Sequence, residues 1–140
     1  MALKVSKVEI WSTTIEDRTG GAADKIEPLT NAGADFEFVF ARRMPEQPGR
    51  GLCLISPVKG RKATAAATAI GFTRALDITA LRVEGSDKPG SAARITRALA
   101  GAGISFRGLS ASALGTKFVA YIAFDNADDA AKAAAVLRKV

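Results

Sequence analysis

The apolar positions of this chain change rhythm several times, and each change marks an element. From Lys7 to Ile15 the spacing has period two: Val8 and Ile10 on one face, Trp11, Thr13 and Ile15 on the other. Apolar residues on both faces predict a strand covered on both sides. Ala22 to Asn31 carries Ala22, Ile26 and Leu29 at helical spacing, with Pro28 inside. A proline there removes a hydrogen bond and crowds the carbonyl of Asp24, so the helix is expected to kink or start late. Gly33 is placed to end it as a left-handed cap. Ala34 to Arg43 alternates again, and its Phe36, Phe38 and Phe40 are expected to pack under the helices. Met44 to Gly51 holds the turn residues of a hairpin loop, and Leu52 to Val58 is the return strand. Lys59 to Lys62 breaks it, Ala63 to Phe72 reads as an alanine-rich helix, and Thr73 to Ile78 links the two halves of the chain.

The same order then recurs. Leu81 and Val83 alternate with Arg82 and Glu84 in a strand, and Ser91 to Ala102 is a helix with Ala92, Ile95, Leu99 and Ala102 on one face. Gly103 ends it; Ile104 to Ser112 is a strand, and Lys117 to Phe124 returns with Phe118, Ala120, Ile122 and Phe124 on one face. Asp125 or Asn126 caps a last helix, with Asp128 and Asp129 in its first turn and Arg138 and Lys139 in its last, which suits the helix dipole.

The landmarks coincide at a fixed offset. Asp17-Arg18-Thr19-Gly20 lies 70 positions before Asp87-Lys88-Pro89-Gly90, and the same offset takes Leu29 to Leu99, Gly33 to Gly103 and Phe36 to Phe106. The chain therefore reads as two copies of one unit, residues 1–72 and 73–140. Each reads as βαββαβ, a ferredoxin-like α+β topology with an antiparallel sheet and helices on one face. Three strands per unit are clear. The fourth strand of the first unit and the first strand of the second compete for residues 78–84, which a circular arrangement resolves if Leu3 to Ile15 serves both units.

Composition narrows the function. There is no histidine, which removes histidine-based acid–base chemistry and triads, and Cys53 stands alone, so no cysteine cluster offers a zinc site. No cofactor is expected and the chain is read as non-enzymatic. A lone thiol and no apolar run near the ~18 residues of a membrane span point to a cytoplasmic protein without membrane contact. The net charge is +6 with no long basic run, so no nucleic-acid partner is expected. An RNA-binding sheet is the rival reading, with Arg42, Arg43, Arg50, Lys59, Arg61 and Lys62 as a basic patch, but the phenylalanines sit at core spacing.

The Asp-x-x-Gly loops carry the candidate chemistry. A proline or glycine at a helix entry leaves N–H groups open to an anion at the positive end of the dipole. A free amino acid fits: its carboxylate on N–H groups near Gly90 and Ser91, or Gly20 and Gly21, its ammonium on Asp87 or Asp17. The plain alternative is that each aspartate is a turn residue bonding its own loop.

Asp87-Lys88-Pro89-Gly90, the amphipathic helix, Ala102-Gly103-Ile104-Ser105, a strand and a hairpin resemble an ACT domain over Ala80 to Val140. Val8 to Phe72 resembles it more faintly, through Asp17-Arg18-Thr19-Gly20 and Ala32-Gly33-Ala34-Asp35, with Thr19 where the family has proline. The resemblance implies regulatory binding of an amino acid between ACT units, with Asp87, Lys88, Pro89, Gly90, Ser91, Asp17, Gly20 and Gly21 as ligand-binding residues. It also implies edge-to-edge pairing, hence a homodimer, and a regulated enzyme partner. An interaction module that binds a partner protein and no ligand is the alternative.

Overall fold

The first long apolar run is broken at Glu9–Ile10, and the break decides the architecture. The computed structural model describes residues 3–140 and runs β1 (Lys4–Val8), β2 (Trp11–Glu16), α1 (Gly21–Asn31), β3 (Phe38–Arg43), β4 (Arg50–Ser56), α2 (Arg61–Ile70), β5 (Thr73–Arg74), β6 (Thr79–Ser86), α3 (Ser91–Gly101), β7 (Gly108–Leu114), β8 (Lys117–Phe124) and α4 (Ala127–Leu137). The strands form two four-stranded antiparallel sheets, ordered β1-β6-β8-β7 and β3-β4-β2-β5.

Glu9–Ala75 is one compact unit, and the segment through Val8 together with Leu76–Val140 is the other. This differs from a division into 1–72 and 73–140. The physical reason is pairing: β1 runs antiparallel to β6, with Val5 opposite Val83 and Lys7 opposite Leu81, and Val5 is buried among the residues of that unit. In the first unit the fourth strand is β5, two residues bonded to Trp11 and Ser12, so Thr73 and Arg74 are sheet and not linker. Residues 79–86 then serve one sheet only. The competition between the units for a strand is resolved as the circular arrangement expects, by the N-terminal strand.

The helix-bearing face of each sheet holds its core. In Glu9–Ala75 the cluster joins Trp11, Cys53 and Ile55 to Leu29, Ala67 and Phe72. In the other unit Val83, Ala120, Ile122 and Phe124 meet Ile95, Leu99, Ala133 and Leu137. Fully burying one such Leu, Ile or Phe side chain contributes about 1.5–3 kcal/mol. No helix among the described residues is long and apolar enough to cross a membrane.

Three local expectations change. The strand expected from Ala34 begins at Phe38, and Phe38 and Phe40 lie opposite Ser56 and Leu54, whereas the core residues Cys53 and Ile55 face Ala41 and Val39. Phe38 and Phe40 are thus on the sheet face away from the helices, Phe40 is 36% exposed, and only Phe36 packs against the core. The aromatic residues of this strand do not all occupy core positions. α1 starts at Gly21 and runs through Pro28, whose carbonyl accepts from Ala32 N–H, so the proline does not delay the helix. On α3, Ala92 is exposed, and Ser91, Ile95 and Leu99 form the buried face.

The helix ends follow their glycines. Gly33 and Gly103 adopt φ of 94° and 73°, and Ala34 and Ile104 N–H bond back to the carbonyls of Leu29 and Leu99 at 2.9 and 3.0 Å. These are Schellman closures that satisfy carbonyls otherwise orphaned at a helix C-terminus. Asn126 Oδ1 accepts from Asp129 N–H at 2.8 Å and starts α4.

Cys53 is fully buried between strands, and desolvation pushes its thiol up from the ordinary range. Only the thiolate reacts with a disulfide reagent. In the native protein Cys53 is therefore expected to react with an aromatic disulfide reagent at pH 8 only as fast as the sheet opens, and at the free-thiol rate in denaturant; immediate native reaction contradicts this burial.

Candidate functional site

The two Asp-x-x-Gly segments are built alike from the backbone up. After β2 the Asp17 N–H bonds to the carbonyl of Gly49 at 3.0 Å; after β6 the Asp87 N–H bonds to the carbonyl of Thr116 at 2.8 Å. Each loop is thereby tied to the hairpin that follows its helix. Gly20 and Gly90 are the N-caps of α1 and α3, at φ of 85° and 87°, a left-handed conformation that costs a non-glycine residue roughly 1–2 kcal/mol. With glycine at the cap, no side chain accepts from the first helical turn. The N–H groups of Ala22 and Ala23, and of Ala92 and Ala93, have no backbone partner among the described residues, as the geometry of a helix start requires. They point out of the positive end of each helix.

The neighbouring positions serve the loop itself. Ser91 is buried, its hydroxyl donates to the Lys88 carbonyl at 2.8 Å, and its N–H bonds to the same carbonyl at 3.2 Å. The serine closes the Lys88–Ser91 turn from inside. At the equivalent place Gly21 leaves no room for any side chain: a Cβ there would lie 2.1 Å from the Glu16 carbonyl oxygen. Lys88, Pro89 and Gly90 are exposed at the tip.

Electrostatically the loops diverge. Asp17 Oδ2 accepts from Arg43 Nε at 2.6 Å, and Arg18 binds both Glu16 and Asp24. These carboxylates, Glu16 first for Arg18 and Asp17 for Arg43, hold the two guanidiniums above their ordinary range. The crevice beside this loop is lined by Ile15, Ala22, Ala41 and Gly51 with Arg42 and Arg43. Around Asp87 the corresponding partners are missing from the sequence. The 70-residue offset puts Ser86 for Glu16, Lys88 for Arg18, Arg94 for Asp24 and Ala113 for Arg43. Asp87 is exposed and has no side-chain partner among the described residues. A second crevice, of about 260 Å³, opens beside this loop.

The residues predicted from the motif thus fall into two groups, one per unit. Asp87, Lys88, Pro89, Gly90 and Ser91 make a continuous loop with an open carboxylate; Asp17, Gly20 and Gly21 make the same turn with its carboxylate engaged. Neither Arg43 nor Arg94 was among the predicted ligand-binding residues: Arg43 is distant from the motif in sequence, and Arg94 stands on the helix that follows it, outside the motif itself. Comparing the two copies position by position singles out Arg94 but not Arg43, whose strand register was unknown.

Residues 79–140 match the ACT domain family. No curated protein matches the chain. Among solved structures, the protein BT0572 from Bacteroides thetaiotaomicron is 15% identical with a TM-score of 0.78, covering 96% of this chain and 89% of that one. The regulatory subunit of aspartate kinase from Thermus thermophilus is 16% identical with a TM-score of 0.68, covering 99% and 96%. The aspartate kinase of Clostridium acetobutylicum, described as an allosteric enzyme, is 16% identical with a TM-score of 0.60; the match covers 96% of this chain and 33% of that enzyme. Residues 79–140 are thus similar to the ACT domain, and the chain shares its tandem ferredoxin-like fold with these solved structures.

The close approach at Gly21 gives a direct check on the first loop. Gly21→Ala forces the Cβ onto backbone, which cannot move aside as a side-chain tip can, and is expected to lower unfolding stability by at least about 2 kcal/mol in urea titration. A change under about 0.5 kcal/mol contradicts the loop geometry.

Proposed function

We propose that this chain is a non-catalytic regulatory protein that binds a free amino acid beside its Asp-x-x-Gly loops, at ACT–ACT interfaces within a homodimer, and acts on a partner enzyme. The observation that carries the reading is the Asp87 loop. An unpaired carboxylate stands beside a glycine-capped helix start whose N–H groups have no intrahelical acceptor. Carboxylate and ammonium of a zwitterion match those two features in charge and in hydrogen-bonding sense. The ACT match of residues 79–140 and the likeness of the whole chain to aspartate kinase regulatory subunits support a regulatory role. The exposed edge strand β7, which carries neither proline nor charge, supports edge-to-edge pairing of two copies.

The test is a thermal-shift screen of the full chain against each free amino acid at millimolar concentration. Binding to the native state alone raises the melting temperature; a ligand at a hundred times its Kd adds about 2.7 kcal/mol. One or two amino acids are expected to give a clear rise, and Asp87→Ala to remove it while leaving the ligand-free melting temperature nearly unchanged. Gly90→Asn, which tolerates the left-handed backbone, is the appropriate loop variant, since a bulky residue at φ 87° would destabilise the fold as well. A flat panel contradicts the reading and favours a ligand-free interaction module.

A further inference from the structure

The two loops share a backbone and differ in charge, and the difference bears on what the second one holds. Around the first, Arg18 and Arg43 are taken up by Glu16, Asp24 and Asp17. Around the second, the positions equivalent to Arg18 and Asp24 are both cationic, Lys88 and Arg94, and neither forms an ion pair with a carboxylate among the described residues. Arg94 reaches only neutral acceptors, the Pro89 carbonyl at 3.4 Å and the Ser91 hydroxyl at 3.3 Å. Such long contacts leave guanidinium hydrogen-bonding capacity unspent.

These cations stand at the rim of the crevice beside the loop. Its other walls are apolar at Leu3 next to β6, at Ile95 on the buried face of α3 and at Val140, and small or neutral at Gly85, Ser86 and Ser91. A volume of about 260 Å³ is below the range of about 300–1,000 Å³ that suits drug-sized ligands, so only a small molecule fits. No acidic residue lines it.

We infer, resting on the reading of the Asp87 loop as the ligand site, that its ligand is a small carboxylate with a short branched apolar tail. The carboxylate is held by Lys88 and Arg94 together with the N–H groups at the start of α3, the ammonium of an amino acid by Asp87, and the tail lies against Leu3, Ile95 and Val140. Among amino acids this selects the branched aliphatic ones and disfavours lysine and arginine, whose side-chain charge would be buried against apolar walls and near two cations. The corresponding 2-oxo acid keeps the carboxylate and the tail but lacks the ammonium that Asp87 holds, so it is also recognised, more weakly. The first unit, with its arginines already paired, does not share this preference.

Isothermal titration of the full chain with L-leucine, L-valine, 2-oxo-4-methylpentanoate, L-lysine and L-aspartate tests it, alongside Lys88→Gln, Arg94→Gln and the control Arg97→Gln, which removes a charge one turn along the same helix. The expected result is binding of leucine or valine and of the oxo acid. Arg94→Gln and Lys88→Gln should each weaken it roughly tenfold or more, as loss of a charged hydrogen bond does. Arg97→Gln should change affinity less than about twofold, showing that net charge alone is not responsible. Amino-acid binding that is indifferent to both Lys88→Gln and Arg94→Gln, or that favours lysine or aspartate, overturns this ligand class while leaving the amino-acid reading in place. Binding of the oxo acid without any amino acid supports the carboxylate site and overturns the amino-acid reading. No binding by any of the five overturns this ligand class, and the amino-acid reading then stands or falls with the full thermal-shift panel.

Discussion

Much of this structure depends on five residues at the start of the chain. β6 is an inner strand of its sheet, with β8 on one edge and β1, Lys4–Val8, on the other. Without β1, the backbone groups on that edge of β6 would have no protein partner, and an open edge is both a loss of hydrogen bonds and an invitation to pair with another chain. β1 also supplies Val5 to the core, and Arg138, at the end of α4, donates to the Val5 carbonyl at 3.2 Å. The first and last segments of the described chain are thus fixed in one unit. Everything between Glu9 and Ala75 is a complete βαββαβ unit of its own, interposed in sequence between the fourth strand of the other unit and its first.

That arrangement explains why the two loops have the same geometry and different chemistry. The backbone requirements recur at fixed spacing, because a strand, a tight turn and a helix that pack on a sheet need a left-handed glycine at the turn and another at the helix end. Gly20 and Gly90, and Gly33 and Gly103, meet these needs in pairs. The side chains around them carry no such constraint. In the first unit they have become a set of ion pairs that are exposed, and hence individually weak, but that engage Arg18, Arg43 and Asp17 itself. In the second they leave Asp87 open on one side and Lys88 with Arg94 on the other.

The elements and their repeat were legible in the sequence because periodicity and glycine placement are local properties. The helices were found within two residues at their starts, and β8 at both ends. What was not legible depended on register. Val8 and Trp11 read as one continuous strand, since nothing in a run of apolar residues tells that Glu9 and Ile10 hand the chain from one sheet to the other. The phenylalanines of β3 read as core because alternation identifies two faces without saying which carries the helices; Cys53 and Ile55, across the ladder, decide it. The motif residues Asp87 to Ser91 could be named from spacing alone. Arg43 could not, because its approach to Asp17 requires knowing how β3 lies against β4 and the loop.

The measurement that tests the architecture most directly is amide hydrogen exchange along β6 by NMR. In an inner antiparallel strand successive N–H groups point alternately to the two neighbours. With β1 paired as described, slow exchange is predicted at every amide from Ala80 to Glu84, those facing β1 as well as those facing β8. Protection at alternate amides only, with the rest exchanging at the rates of an open edge, would show that β6 has one neighbour and that the N-terminal strand does not complete this unit.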